Sequence, residues 1–253
     1  MLNNSYGKLA SHVYNLDKYI GKSFGDVEYY LERLNECSGP ILEPAVGNGR
    51  ALIPLLEAGL DVRGFDASPE MLGYCRAHCK ERSLTPALSQ QTFEAFAHEE
   101  RFEAIVIPAG SLQLIADHAT AIATVKRFLD HLRPGGRLIF DLYPHDLFAD
   151  TQPSIRNWQT EAGDLLTLTS QRVKADLIAQ TTVSHLRYEL WCEGKLASSE
   201  LEFLTMRWWG VEEMALTLRA AGFVDLVVSG NYDFGSAPKH GDEVVTFECR
   251  RPR

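Results

Sequence analysis

The chain has 253 residues, 25 Lys and Arg against 34 Asp and Glu, and a net charge of −9, with 45% hydrophobic and 23% charged side chains. That is ordinary globular composition, enough to build a core and wrong for a disordered or fibrous chain. The acidic balance, with no run of clustered Lys and Arg, argues against nucleic acid and anionic membrane surfaces as partners.

The elements read in chain order as follows. Residues 8 to 35 predict a helical segment, and from residue 40 to 142 short apolar runs alternate with helical stretches, the pattern of βα units around a parallel sheet. Strands are expected at Pro40 to Ala45, Asp61 to Asp66, Pro86 to Gln90, Ala104 to Pro108 and Arg137 to Leu142. Helices are expected near Arg50 to Glu57, Pro69 to Arg82 and His118 to Leu132, the last stopped by Arg133-Pro134-Gly135-Gly136. Residues 155 to 209, rich in Thr, Val, Leu and aromatics, predict antiparallel hairpins turning at Ala162-Gly163-Asp164 and Glu193-Gly194-Lys195. Val211, Met214, Ala215 and Leu218 share one helical face ending at Gly222, followed by strands Phe223 to Ser229 and Glu243 to Cys249. The expected fold is α/β, one domain over 1–253: an N-terminal helical segment (1–39), a sheet core (40–150), an antiparallel β insertion (151–209) and the last helix and strands (210–253).

No apolar stretch reaches the roughly 20 residues of a membrane span, and the N-terminus lacks the apolar centre of a signal peptide, so a cytoplasmic location is expected. Cys37, Cys75, Cys79, Cys192 and Cys249 form no CxxC pair and suit free thiols. Cys75 and Cys79, four apart on one helix, are read as buried thiols rather than a metal half-site, and no metal is expected.

Glu43-Pro44-Ala45-Val46-Gly47-Asn48-Gly49-Arg50 lies where the first strand gives way to a helix, a place where backbone can approach a nucleotide-like ligand. Asp66 ends the second strand 17 residues beyond Gly49, where a carboxylate can accept both hydroxyls of a ribose. A dinucleotide fingerprint needs a third glycine where this chain has Leu52. Glu43 would also repel a pyrophosphate, but suits the cationic S-adenosylmethionine. Asp66 has a competing reading as a helix cap, which Ser68 can take instead, and Glu43 one as a buried acid paired with Arg50.

Three motifs in order resemble those of class I S-adenosylmethionine-dependent methyltransferases: Glu43-x-Ala45-x-Gly47-x-Gly49; Gly64-x-Asp66-x-Ser68-x-x-Met71-Leu72; and Leu132-Arg133-Pro134-Gly135-Gly136 running into Arg137-Leu138-Ile139-Phe140. Tyr14-Asn15-Leu16 and Asp26 to Tyr30 are similar to that family's lid, and Trp209 to Met214 to its late helix. Among subfamilies the likeness is to small-molecule enzymes, including amino-sugar N-methyltransferases. The resemblance implies a Rossmann-like, mostly parallel sheet whose last strand is antiparallel, with residues 1–39 as a helical lid and 151–209 as an insertion over the active site. It implies S-adenosylmethionine as cofactor, S-adenosylhomocysteine as product, and a small-molecule acceptor methylated on N or O. Glu43, Ala45, Gly47, Asn48, Gly49, Asp66, Ala67, Met71, Thr92, Phe93, Pro108 and Ala109 fall on the cofactor positions. The chain departs from the pattern at Ala45, where the family's first glycine stands, and at Thr92, where an acid usually holds the adenine. Tyr14, Gln113 and His145 are the catalytic candidates, and Tyr14, Ser111, Tyr143, Arg207 and Trp209 the acceptor contacts. Each has a plain alternative as core, cap or surface residue, as does Tyr19. The loop after the fourth strand is not Asn-Pro-Pro-Tyr, which argues against nucleobase or glutamine methylation. Methylation of RNA, and cofactor binding without chemistry, stay open as alternatives, and so does a homodimer.

Overall fold

In a computed structural model, residues 6–144 and 151–253 are described. Strands β1 (Ile41–Pro44), β2 (Val62–Asp66), β3 (Leu88–Gln90), β4 (Phe102–Ile107), β5 (Leu132–Leu142), β10 (Val224–Gly230) and β11 (Val245–Arg250) form a seven-stranded sheet. Its order is β10-β11-β5-β4-β1-β2-β3. The near-continuous apolar runs of β1, β4 and β5 are buried on both faces, as parallel strands covered by helices require. Strand β11 runs antiparallel to both neighbours, β10 and β5, and so opposite to the rest of the sheet. The strand order reverses between β1 and β4, so the crevice of a doubly wound sheet opens at the carboxyl ends of those two strands.

Helices α2 (Asp26–Leu34), α3 (Leu52–Glu57) and α4 (Pro69–Glu81) cover one face, through a core holding Tyr30, Leu52, Ile53, Leu72 and Cys75. Helices α5 (His118–His131) and α6 (Val211–Ala221) cover the other, around Phe102, Phe128, Phe140, Phe247 and Leu218. The second sheet, β6 (Ser154–Gln159), β7 (Leu165–Asp176), β8 (Thr181–Cys192) and β9 (Lys195–Arg207), is antiparallel in chain order. Helix α1 (Lys8–Asp17) packs Leu9, Ala10 and Val13 on Leu166, Leu168 and Tyr188 of that sheet. Two glutamates of β9 fix it there: Gly7 N donates to Glu202 (2.7 Å) and Leu9 N to Glu200 (2.9 Å), filling the unsatisfied amides of the helix start.

Three boundaries differ from the sequence reading. The helical segment expected over 8–35 is two helices, because Gly21 (φ 94°) and Gly25 (φ 90°) turn the chain through left-handed conformations. Strand β5 begins at Leu132 rather than Arg137: Phe102 pairs with Leu132 and Ala104 with Arg137, so Arg133 to Gly136 bulge out within the strand. A short 3-10 helix, Ser111–Leu114, stands where only a loop was expected.

Gly64 makes the glycine turn possible. A Cβ there would collide with Val46 Cγ1 and lie 3.0 Å from the Glu43 carbonyl. Gly64→Ala is therefore expected to cost about 1 to 3 kcal/mol by overpacking. Urea unfolding checks it, and an unchanged midpoint would mean that the turn yields freely.

Candidate active site

The turn from β1 to α3 carries three left-handed residues, Ala45 (φ 54°), Gly47 (φ 57°) and Gly49 (φ 92°). Side chains are barred at the last, since a Cβ on Gly49 would lie 3.0 Å from Cys75 Sγ and from Ile53. Ala45 tolerates the strain, of the order of 1 to 2 kcal/mol for an L-residue. Asp66 locks the turn to β2: its carboxylate accepts from Gly47 N (2.8 Å) and Ser68 N (2.8 Å). Burial raises its carboxyl above the ordinary range, while the Ser68 and Gly47 amides pull it back. The helix cap is Ser68, whose Oγ accepts from Met71 N at 3.2 Å, so Asp66 is not the cap.

Glu43, also buried, has an Oε2 with no hydrogen-bond partner among the described residues. Arg50 is not its partner. The guanidinium of Arg50 binds both oxygens of buried Asp26, one of them at 3.0 Å, and the Lys22 carbonyl at 3.1 Å. Burial holds the Glu43 carboxyl well above the usual range, with Arg50 pulling the other way. An unpaired buried carboxylate oxygen at the end of β1 fits a cationic group, the ammonium of S-adenosylmethionine included.

The other expected cofactor residues have the following surroundings. The Asn48 amide donates to Asn15 Oδ1 (3.0 Å) and the Lys18 carbonyl (2.8 Å), and its oxygen accepts from Arg50 N (3.3 Å), so it latches α1 to the turn. Phe93 packs edge-on against Phe65 and Phe128, each 6.2 Å away, at the margin of the core. Met71 is buried in the first turn of α4, whereas Ala67 and Thr92 are exposed beyond β2 and β3. Pro108 and Ala109 follow β4, Ala109 being left-handed (φ 60°).

Tyr14 lies over Gly47, its ring carbon 3.7 Å and its hydroxyl 3.8 Å from where a Cβ would stand. Burial raises its phenol, and the Arg50 guanidinium opposes the shift. Tyr19 is exposed. Gln113 is buried, and its amide bonds backbone: it donates to the carbonyls of Tyr143 (3.1 Å) and Arg207 (3.3 Å) and accepts from Tyr143 N (2.8 Å). Gln113 thus ties the segment after β5 to the end of β9. Ser111 donates to the Pro108 carbonyl (2.8 Å) within its own turn. The Tyr143 ring lies against Gly110, and burial pushes its phenol up to about 12.

Arg207 and Trp209 are both buried. The Arg207 guanidinium bonds Ala179 O (3.0 Å) and Gln180 Oε1 (2.8 Å) and lies 4.7 Å over the Trp209 ring. Trp209 itself belongs to the core beside α5 and α6. Burial in this junction outweighs the site-like residue types. His145 lies outside the described residues.

Asp141, Tyr30 and Tyr232 form a cluster beside the turn after β4, of which only Tyr30, within the Asp26 to Tyr30 segment, stood out in the sequence. Both hydroxyls donate to the Asp141 carboxylate, from 3.2 Å and 3.0 Å. The available signal was a lone acid inside the apolar run Leu138-Ile139-Phe140-Asp141-Leu142.

Residues 41–136 match the family described as a methyltransferase domain. YqeM of Bacillus subtilis (strain 168), which carries a methyltransferase designation, is 33% identical over 135 residues, 49% of this chain and 55% of that protein. The glycine/sarcosine N-methyltransferase of Aphanothece halophytica is 30% identical over 138 residues, 53% and 52% of the two chains. The chain spans about half the length of the curated relatives it matches. Among solved structures, the sugar N-methyltransferase KedS8 from Streptoalloteichus superposes with a TM-score of 0.76 at 21% identity, covering 100% of this chain and 96% of that one. An S-adenosylmethionine-dependent methyltransferase from Clostridium acetobutylicum gives 0.75 at 18% identity, covering 96% and 98%. The fold is that of the class I methyltransferases.

Proposed function

We propose that the chain is an S-adenosylmethionine-dependent methyltransferase that acts on a small molecule, on N or O, and releases S-adenosylhomocysteine. The unpaired buried carboxylate of Glu43, beside a left-handed glycine turn and the Asp66 carboxylate, carries this reading. The 41–136 match and the relatives named as small-molecule enzymes support it. Net charge −9 disfavours an RNA acceptor.

Glu43 would receive the cofactor's ammonium, the 45–49 turn its amino-acid tail, and Asp66 the ribose hydroxyls. The cofactor supplies a methyl on a sulfonium, whose departure as a neutral thioether needs no metal. The chain's own work is positioning and water exclusion. Tyr14 on α1 covers the glycine turn, and the 108–110 loop, with the Tyr143 ring against Gly110, would supply a further wall at the carboxyl end of β4. Holding an acceptor in line can supply about 7 to 11 kcal/mol of the barrier reduction. An acceptor that must lose a proton needs a base, the role we assign to His145.

Titration calorimetry with S-adenosylmethionine, S-adenosylhomocysteine and NAD tests the reading: the first two bind and NAD does not. Micromolar NAD binding alone would overturn it. Glu43 supplies a pH signature. Burial raises its carboxyl well above the ordinary range, whereas a cationic ligand favours the ionised form. Binding should therefore release a proton, and affinity should rise with pH until the raised value is passed. Repeating the titration in buffers of different ionisation enthalpy measures that proton, and Glu43→Gln should abolish it.

A further inference from the structure

Helix α1 lies between the four-stranded sheet and the glycine turn. Its grip on the sheet comes from Leu9, Ala10, Val13 and the two glutamates of β9. Its grip on the turn is centred on one half-buried side chain, Asn15. The Asn15 carboxamide oxygen meets two nitrogens at once, Asn48 Nδ2 of the turn at 3.0 Å and His78 Nε2 of α4 at 2.8 Å. Asn48 is fully buried and also reaches the Lys18 carbonyl, so it holds the end of α1 at two points. Beside Asn15 stands Tyr14, whose ring carbon is 3.7 Å from a Cβ position on Gly47.

Backbone groups fix the direction of these bonds. Arg50 N is a donor and the Lys18 carbonyl an acceptor, so the Asn48 amide stands with its oxygen toward the first (3.3 Å) and its nitrogen toward the second (2.8 Å). The other hydrogen of that nitrogen then requires an oxygen, not an amide nitrogen, from Asn15. With the oxygen so placed, His78 meets it by carrying a proton on Nε2. Asn15 is thus an obligatory acceptor, since turning its amide round would set donor against donor at Asn48. Asn48 itself stands between two left-handed glycines, Gly47 at φ 57° and Gly49 at φ 92°. A displaced α1 would leave its buried nitrogen unsatisfied inside the turn, so the shape of the turn and the seat of the helix are not independent.

We propose that Asn15 is a positioning residue. By accepting from Asn48 and His78 together, it seats the last turn of α1 on the glycine turn and holds Tyr14 over Gly47, so that docking of the helix and binding of the cofactor are coupled through the Asn48 side chain. The assignment rests on the methyltransferase reading only for the identity of the ligand in the turn. Coupling of this kind is reciprocal: whatever the seated helix adds to cofactor affinity, the cofactor adds to the seating of the helix.

Asn15→Asp keeps an acceptor in the same shape, at a site open enough to carry the charge. Asn15→Leu keeps the volume and removes the acceptor. Amide hydrogen exchange across residues 12–18 of the full chain, without cofactor, reads the seat of the helix. Protection there should fall about tenfold in Asn15→Leu, the scale of two lost hydrogen bonds, while residues 69–81 of α4 and 104–107 of β4 stay protected. Asn15→Asp should match the unaltered chain. S-adenosylmethionine affinity by calorimetry should fall several-fold in Asn15→Leu and be retained in Asn15→Asp, and saturating cofactor should raise the protection of residues 12–18. Equal losses in both variants would assign Asn15 to packing and overturn the proposal. So would native protection in Asn15→Leu, or lost protection with unchanged affinity, since helix and cofactor would then be uncoupled. Failure of the unaltered chain to bind S-adenosylmethionine would instead sink the methyltransferase reading, and the exchange results would still decide whether Asn15 seats the helix.

Discussion

Asp26→Ala is expected to lower the unfolding free energy by about 3 to 5 kcal/mol, the scale of a buried ion pair broken from one side. Arg50 and Asp26 are both buried, and the guanidinium engages both carboxylate oxygens. Without Asp26 the charge at the root of the glycine turn loses its paired carboxylate and keeps the Lys22 carbonyl and the face of the Phe24 ring. Helix α2 also loses the side chain that accepts from Phe24 N at 3.1 Å. The pH dependence has a definite sign. Burial alone would raise the Asp26 carboxyl, but the hydrogen bonds and charge of Arg50 hold it below the ordinary 3.8. The pair's contribution is therefore complete above that value and is lost as pH falls through the lower folded one. Denaturant unfolding at neutral pH measures the effect. A loss below about 1 kcal/mol, the scale of an exposed pair, would mean that the guanidinium finds other partners.

Asp66→Ala is expected to weaken S-adenosylmethionine binding by about 1.5 to 3 kcal/mol, tenfold or more, since hydrogen bonds to a charged group are of that size. The free chain loses stability too, because Gly47 N and Ser68 N lose their acceptor. The two effects separate by experiment: calorimetry well below the melting point of the variant reads affinity, and melting without ligand reads the turn. Asp66→Asn keeps one acceptor oxygen and should fall between. Unchanged affinity would confine Asp66 to bracing the turn.

The central strands were legible because strands buried on both faces must read as unbroken apolar runs, as Ala104 to Ile107 does. Glu43 and Asp66 were legible for the opposite reason, as acids where such runs end. Partnerships between distant segments were not. Arg50 faces an acid 24 residues earlier, and α1 is capped from β9, 191 and 195 residues away. Periodicity carries no trace of such pairs. The surroundings of Gln113 and Trp209 were not legible because the residue types that suit a crevice also suit a buried junction, and only tertiary placement separates the two. Asp141 was passed over because it sits inside a strand, where the apolar pattern dominates the reading.

The attachment of α1 to β9 through Glu200 and Glu202 bears on how such a chain can be re-engineered. The part expected to choose the acceptor is discontinuous along the gene: its first piece lies at residues 7 to 17 and its second at 154 to 207. A chimaera that grafts the four-stranded sheet of a relative onto this core, but keeps the native amino-terminal helix, would set that helix against foreign side chains with its first amides uncapped. Recombination that carries both pieces together conserves the joint, so the natural unit of exchange is the pair.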